Sequence, residues 1–227
     1  MEAVSQFIAD YGWVLVEATG ASLFMTCVSC LLAYVIGLPI GVGFHITTEN
    51  GLHPNKAVNA ALGWIINIGR SVPFIILLVA MIPLTRLIMG TSLGMAGAIP
   101  PLTVSAAPFV ARIVEQSLAE VDTGVVEAAH SFGASTPQII VKVLLKEALP
   151  SLIRGIAITF VNLFGYVAMA GVVGAGGLGD VAIRYGYQRW NGEVMMAALV
   201  LCVILVVIFQ GIGDKLAVKL DHRRARG

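Results

Sequence analysis

Charge is scarce in this chain. Only 12% of its 227 residues are Asp, Glu, Lys or Arg, while 58% are hydrophobic; soluble domains carry about 25% charged residues. That shortage excludes an ordinary soluble domain. Charged residues are missing altogether from 18–44, 87–111, 155–179 and 194–213, and the stretch 57–85 is interrupted once, by Arg70. A helix needs about 20 mostly apolar residues to cross a hydrocarbon core about 30 Å thick, so each stretch is long enough. Backbone polar groups in lipid must bond internally, which runs of this length do as helices and not as barrel strands. The sequence predicts an all-α integral membrane protein with five transmembrane helices. No Lys or Arg precedes Lys56, so the first span lacks the basic flank of a cleavable signal peptide.

Other absences narrow function. With no Asp or Glu inside the spans, there is no intramembrane acid pair for proteolysis and no carboxylate relay for proton coupling. No GxxxxGK[ST] occurs, so the chain has no P-loop for ATP. Of the three cysteines, Cys27 and Cys30 form a CxxC pair within an apolar span, where thiolates are disfavoured. They and Cys202 read as small packing residues. His45 and His53 fall in a loop, His130 in a cytoplasmic element and His222 in a basic tail, so no metal constellation forms and no cofactor is expected. Five spans do not divide into two equal inverted halves, as many secondary carriers do. Uphill transport would need energy from a partner, and a twofold homodimer would set ten helices around a central path.

The 14 basic residues are few enough to locate one by one. With the N-terminus outside, the inner side holds Lys56, Arg112, Lys142, Lys146, Arg154, Lys215, Lys219, Arg223, Arg224 and Arg226, against Arg86, Arg184 and Arg189 outside. Positive-inside asymmetry therefore predicts an outer N-terminus and a cytoplasmic C-terminus. This is a topogenic pattern, not a basic patch for nucleic acid. A short outer loop surrounds Arg86, and an outer segment 180–193 carries Tyr185, Tyr187 and Trp190 at headgroup level. Little chain is left outside the membrane, so residues 1–227 read as one domain.

One cytoplasmic loop, 112–154, is too long for a plain connection. Asp122 or Thr123 can cap a helix over 125–132, and Gly133 stands where helices end in a left-handed residue. Ser135 and Gln138 have capping-box spacing, and Pro137 suits a first turn. Ile139, Ile140, Val143 and Leu144 then recur at helical spacing, with Lys142 and Lys146 on another face. The segment 122–150 is predicted to be helix, glycine turn, amphipathic helix. It is either a docking surface for a cytoplasmic partner or a helix lying at the membrane interface.

Two further features have competing readings. Gly174-Ala175-Gly176-Gly177-Leu178-Gly179 matches GxGxxG, but a dinucleotide site needs a preceding strand and a following helix, and this run ends a span. Bends and close backbone approach account for it. Arg70, in Asn67-Ile68-Gly69-Arg70-Ser71-Val72-Pro73, would cost about 2.5–3.5 kcal/mol in mid-membrane and so needs protein or water around it. It meets either a substrate carboxylate or the carbonyls freed near Pro73.

Glu127-Ala128-Ala129-x-x-x-Gly133 resembles the EAA motif of permease subunits of binding-protein-dependent ABC importers. The family pattern continues Ile-x-Leu-Pro; here the matching positions are Val143, Leu145 and Lys146, and the next proline is Pro150. Within that family the chain is similar, over nearly its whole length, to the permeases of methionine importers. The segments that carry the likeness are 70–78, 90–92, 101–104, 107–112, Gly165-Tyr166-x-Ala168-Met169 and 174–179.

The resemblance implies a type I ABC importer transmembrane domain in the bacterial inner membrane, a homodimer working with two ATPase subunits and an extracytoplasmic methionine-binding protein. It implies a coupling segment at Glu127, Ala128, Ala129, Gly133 and Ala134, with Met169 narrowing the path near its outer side; Arg70, Ser71 and Tyr166 are further candidates along that path. The chain itself would perform no chemistry. Rival expectations are import of another amino acid, an ion-coupled secondary carrier, and a non-transporting assembly subunit.

Overall fold

A computed structural model describes the backbone of residues 2–220 and the side chains of 5–220. His222, Arg223, Arg224 and Arg226, which the sequence assigns to the inner side, lie outside the described residues. The chain forms α1 (Glu2–Ile46), α2 (Lys56–Ser71), α3 (Phe74–Ala80), α4 (Ile82–Met89), α5 (Gly94–Ala119), α6 (Thr123–Ser131), α7 (Thr136–Ile139), α8 (Leu145–Glu147), α9 (Leu149–Gly171), α10 (Gly177–Val181) and α11 (Gly192–Leu220). Single π-helical turns occupy Ile140–Leu144 and Ala182–Tyr187. The all-α expectation holds for the described residues.

Helices α1, α5, α9 and α11 are each long and apolar enough to cross a membrane, and α2 with α3 makes a fifth only if counted together. That pair, within the stretch 57–85 read from the sequence as one span, is bent by 97°. The cause is Pro73, which has no N–H to donate and sterically pushes Val72 out of helical geometry. Pro73 itself is extended, with φ −60° and ψ 129°, and α3 starts after it. The stretch 87–111 is also not one helix. Gly90, in the left-handed region, closes α4, and α5 begins only at Gly94. Arg86, expected in an outer loop, is therefore within α4, and His45 lies in the last turn of α1. Helix α1 has 45 residues, about 68 Å at 1.5 Å per residue. Its first turns hold Glu2, Asp10 and Glu17 and extend past what a 30 Å core requires.

The chain divides into two compact units. The first takes in residues 1–31, 72–105 and 160–209; its core clusters Leu15, Phe160, Phe164, Leu178, Val181 and Val194, with Phe160 stacked on Phe209 at 4.0 Å. The second takes in 32–71, 106–159 and 210–227. Its core depends on small residues, since a Cβ at Gly37 would come within 2.7 Å of the Ala107 carbonyl oxygen, and one at Gly41 within 2.5 Å of that of Ala111. Helix α1 there lies backbone to backbone on α5, the close packing that small residues four apart permit.

Candidate functional site

The segment 122–150 forms as its local chemistry requires. Asp122 caps α6 by accepting the Gly124 N–H at 2.7 Å. At the other end Gly133 has φ 79°. Its N–H donates to the His130 carbonyl at 2.9 Å and that of Ala134 to Ala129 at 3.1 Å, the paired closure that a left-handed residue after the helix makes possible. The Ala128 carbonyl accepts the Phe132 N–H at 3.0 Å, and that of Glu127 accepts the Ser131 hydroxyl at 2.9 Å. Carbonyls of all three EAA residues thus take part in ending the helix, and Glu127, Ala128, Ala129, Gly133 and Ala134 are brought together in about two turns. The helix starts at Thr123 and ends at Ser131, slightly earlier than the sequence indicates.

The following turn behaves similarly. Gln138 accepts the Ser135 N–H at 2.9 Å, the reciprocal half of a capping box. Ile139 and Leu144 are buried, five residues apart, because the π-helical turn over Ile140–Leu144 widens the repeat. Lys142 and Lys146 are exposed. No residue of α6 is buried, and Phe132 at its tip is 90% exposed. Helix α6 thus has fixed ends and no buried residue.

Two contributors escaped the sequence reading. The His53 ring lies 2.9 Å from the Thr136 hydroxyl, tying the loop between α1 and α2 to the start of α7. The contact joins residues 83 apart in sequence, so no local pattern signals it. Phe132 is the other, since an apolar residue beside a helix end reads as a packing residue until its exposure is seen.

Tyr166 and Met169 stand one turn apart on α9, in the first unit. Tyr166 stacks on Phe74 with ring centres 4.8 Å apart and planes 9° from parallel. Met169 is 43% exposed. Arg70 and Ser71 end α2 in the second unit. The Ser71 hydroxyl donates to the Asn67 carbonyl at 2.7 Å, satisfying one of the acceptors that a helix end leaves free. Arg70 occupies the last turn, where the helix dipole favours a cation. It makes no hydrogen bond with a described side chain. The break at Pro73 therefore places this charge at a helix end, not in mid-helix.

The glycine run forms a turn after α9 and then opens α10. At the N-terminus of α10, where a phosphate would sit in a dinucleotide site, the buried Ser22 hydroxyl of α1 accepts the Leu178 N–H at 2.9 Å. Within the same unit, the Gly174 carbonyl accepts the N–H of Gly94 at 3.2 Å. Close approach accounts for Gly177 and Gly179, where a Cβ would meet the Ser22 hydroxyl and the Ala168 carbonyl, and positive φ of 84° and 86° accounts for Gly174 and Gly176.

Comparison with known proteins matches residues 34–224 to the family described as binding-protein-dependent transport system inner membrane component. The chain is 50% identical over 220 residues to the probable D-methionine transport system permease protein MetI of Vibrio cholerae, covering 97% of this chain and 98% of that protein. It is 46% identical over 178 residues to the methionine import system permease protein MetP of Bacillus subtilis, covering 78% and 80%. Among solved structures, a chain of the MetNI methionine ABC transporter in an inward-facing conformation superposes with a TM-score of 0.91 at 49% identity, covering 93% and 98%.

Proposed function

Because the chain belongs to the binding-protein-dependent transport system inner membrane component family, we propose that it is the inner-membrane permease subunit of an ATP-driven methionine importer. The observation that carries this reading is the 50% identity to a methionine permease across 97% of the chain. The exposed α6 and its fixed turn agree with it, since a permease without a P-loop must receive its driving force through a surface.

In the finer reading, two copies of the chain pair around a path, each docked on an ATPase subunit, and an extracytoplasmic binding protein delivers substrate. All five spans cross the membrane, with the N-terminus outside. Glu127, Ala128, Ala129, Gly133 and Ala134 seat in the ATPase. Movement there is transmitted because the ATPase dimer prefers one transporter state over the other, and only such a difference can shift the equilibrium. Tyr166 and Met169 line the path, Met169 as its narrow point, with Arg70 and Ser71 along its course.

The test is uptake of labelled L- and D-methionine into proteoliposomes holding this chain, its ATPase and its binding protein. ATP-dependent accumulation is expected, and it should stop when the ATPase is omitted. Continued uptake on an ion gradient alone would identify a secondary carrier. Uptake of a different amino acid without methionine would keep the architecture and reject the substrate.

A further inference from the structure

The loop between α1 and α2, in the second unit, is held at almost every turn. The last four carbonyls of a helix have no partner within it, and at the end of α1 all four are taken. The Thr47 hydroxyl donates to the Gly43 carbonyl at 2.8 Å, the Asn59 side-chain amide to Phe44 at 2.8 Å, the Thr48 hydroxyl to His45 at 2.8 Å and the His53 N–H to Ile46 at 2.9 Å. The Asn55 N–H donates to the Thr47 carbonyl at 3.0 Å, and the Asn55 side chain caps α2 by accepting the Val58 N–H at 3.1 Å. Gly51 lies so close that a Cβ there would strike the Ile46 carbonyl. The end of α1, the loop and the start of α2 are therefore one bonded piece. From it the His53 ring reaches the Thr136 hydroxyl at 2.9 Å.

Thr136 is the first residue of α7, shortly after the left-handed Gly133. Before it lies α6, with no buried residue; after it come Ile139 and Leu144, 0% and 2% exposed. The bond is thus made where an unburied arm joins a packed stem. Ring nitrogen and hydroxyl can exchange donor and acceptor roles, so either neutral tautomer keeps it. We infer that His53 is a positioning residue for energy coupling: through Thr136 it carries displacement of α6 into the joined ends of α1 and α2. This rests on the reading of α6 as the surface that receives the ATPase. Helix α2 is continuous from Lys56 to Ser71, so a push at the loop reaches Arg70 and Ser71 at its far end. Without the bond, α6 follows the ATPase while the loop stays behind, and ATP is hydrolysed with less transport. The bond is exposed and of ordinary strength, so its loss weakens coupling without abolishing it.

The experiment measures ATP hydrolysed per methionine imported by the permease–ATPase complex with its binding protein in proteoliposomes. Thr136→Val, which keeps the shape and loses the hydroxyl, should raise that ratio about threefold, the effect of one ordinary hydrogen bond, and so should His53→Asn, whose amide stops short of the Nε2 position. Thr136→Ser and His53→Gln keep a group in reach and should hold the original ratio. Since both disruptions remove one bond, Thr136→Val with His53→Asn should be no worse than either alone. Unchanged ratios in the disrupting variants overturn the proposal, as do additive effects in the double variant or ratios raised equally by the conservative ones. Should one disrupting variant fail to assemble, the other and its conservative counterpart decide. A second readout needs no substrate. ATP with vanadate should alter hydrogen exchange over 123–131 and 47–55, and Thr136→Val should abolish the change over 47–55 alone. An undiminished change there in Thr136→Val overturns the proposal whatever the substrate, whereas failure of methionine uptake by the unsubstituted complex sinks only the substrate reading.

Discussion

A Cβ built on Gly133 would meet nothing within 4 Å, so space does not demand glycine there. The backbone does. Its φ of 79° lies in the left-handed region, which costs most L-residues roughly 1–2 kcal/mol and asparagine less. Substitutions should therefore rank by backbone tolerance and not by size alone. Gly133→Asn is expected to keep most methionine uptake, Gly133→Ala to lose part of it, and Gly133→Leu to lose most while ATP hydrolysis and membrane insertion persist. Parallel assays of uptake and hydrolysis check this, and normal uptake in Gly133→Leu would remove the residue from the coupling role. Gly133, Asp122, Ser135 and Gln138 were legible in the sequence because caps and turns depend on neighbours two to four positions away. The Phe74–Tyr166 stack and the His53–Thr136 contact were not, since each joins residues far apart in the chain.

At the level of elements, charge-free length located the long apolar helices but not the bends between helices. Length is set by the hydrocarbon core, whereas the 97° turn between α2 and α3 is set by one proline ring and its neighbour. Gly90 does the same between α4 and α5. Once the turn at Gly90 is allowed for, the third stretch shifts from 87–111 to α5. Helix α6 is the element most exposed to failure, because with no buried residue its stability rests on its caps and on whatever docks against it. Removing the cap by Asp122→Ala should cost about 1 kcal/mol. In the absence of the ATPase, hydrogen exchange of the amides over Thr123–Ser131 is expected to speed up roughly fivefold, and ATPase binding should restore most of the protection. Unchanged exchange would mean that Asp122 does not hold the helix start.

For the whole molecule, the asymmetry of basic residues makes a claim that two exposed side chains can test. Phe132 belongs to the face assigned to the cytoplasm, and Tyr187, 65% exposed, to the segment assigned outside. With Cys27, Cys30 and Cys202 replaced by alanine and the ATPase absent, an impermeant maleimide should label Tyr187→Cys in intact cells. It should label Phe132→Cys only after permeabilisation. The reversed pattern would invert the orientation. Chain order has a further consequence for how this protein is made. Each compact unit gathers three separate stretches, and the last stretch of each includes part of α11. Folding during synthesis favours domains whose residues emerge consecutively, and neither unit here qualifies. Until the ribosome has delivered α11, the earlier helices wait in the membrane with both cores unfinished, so insertion machinery or a chaperone that shields them should govern the yield of this permease.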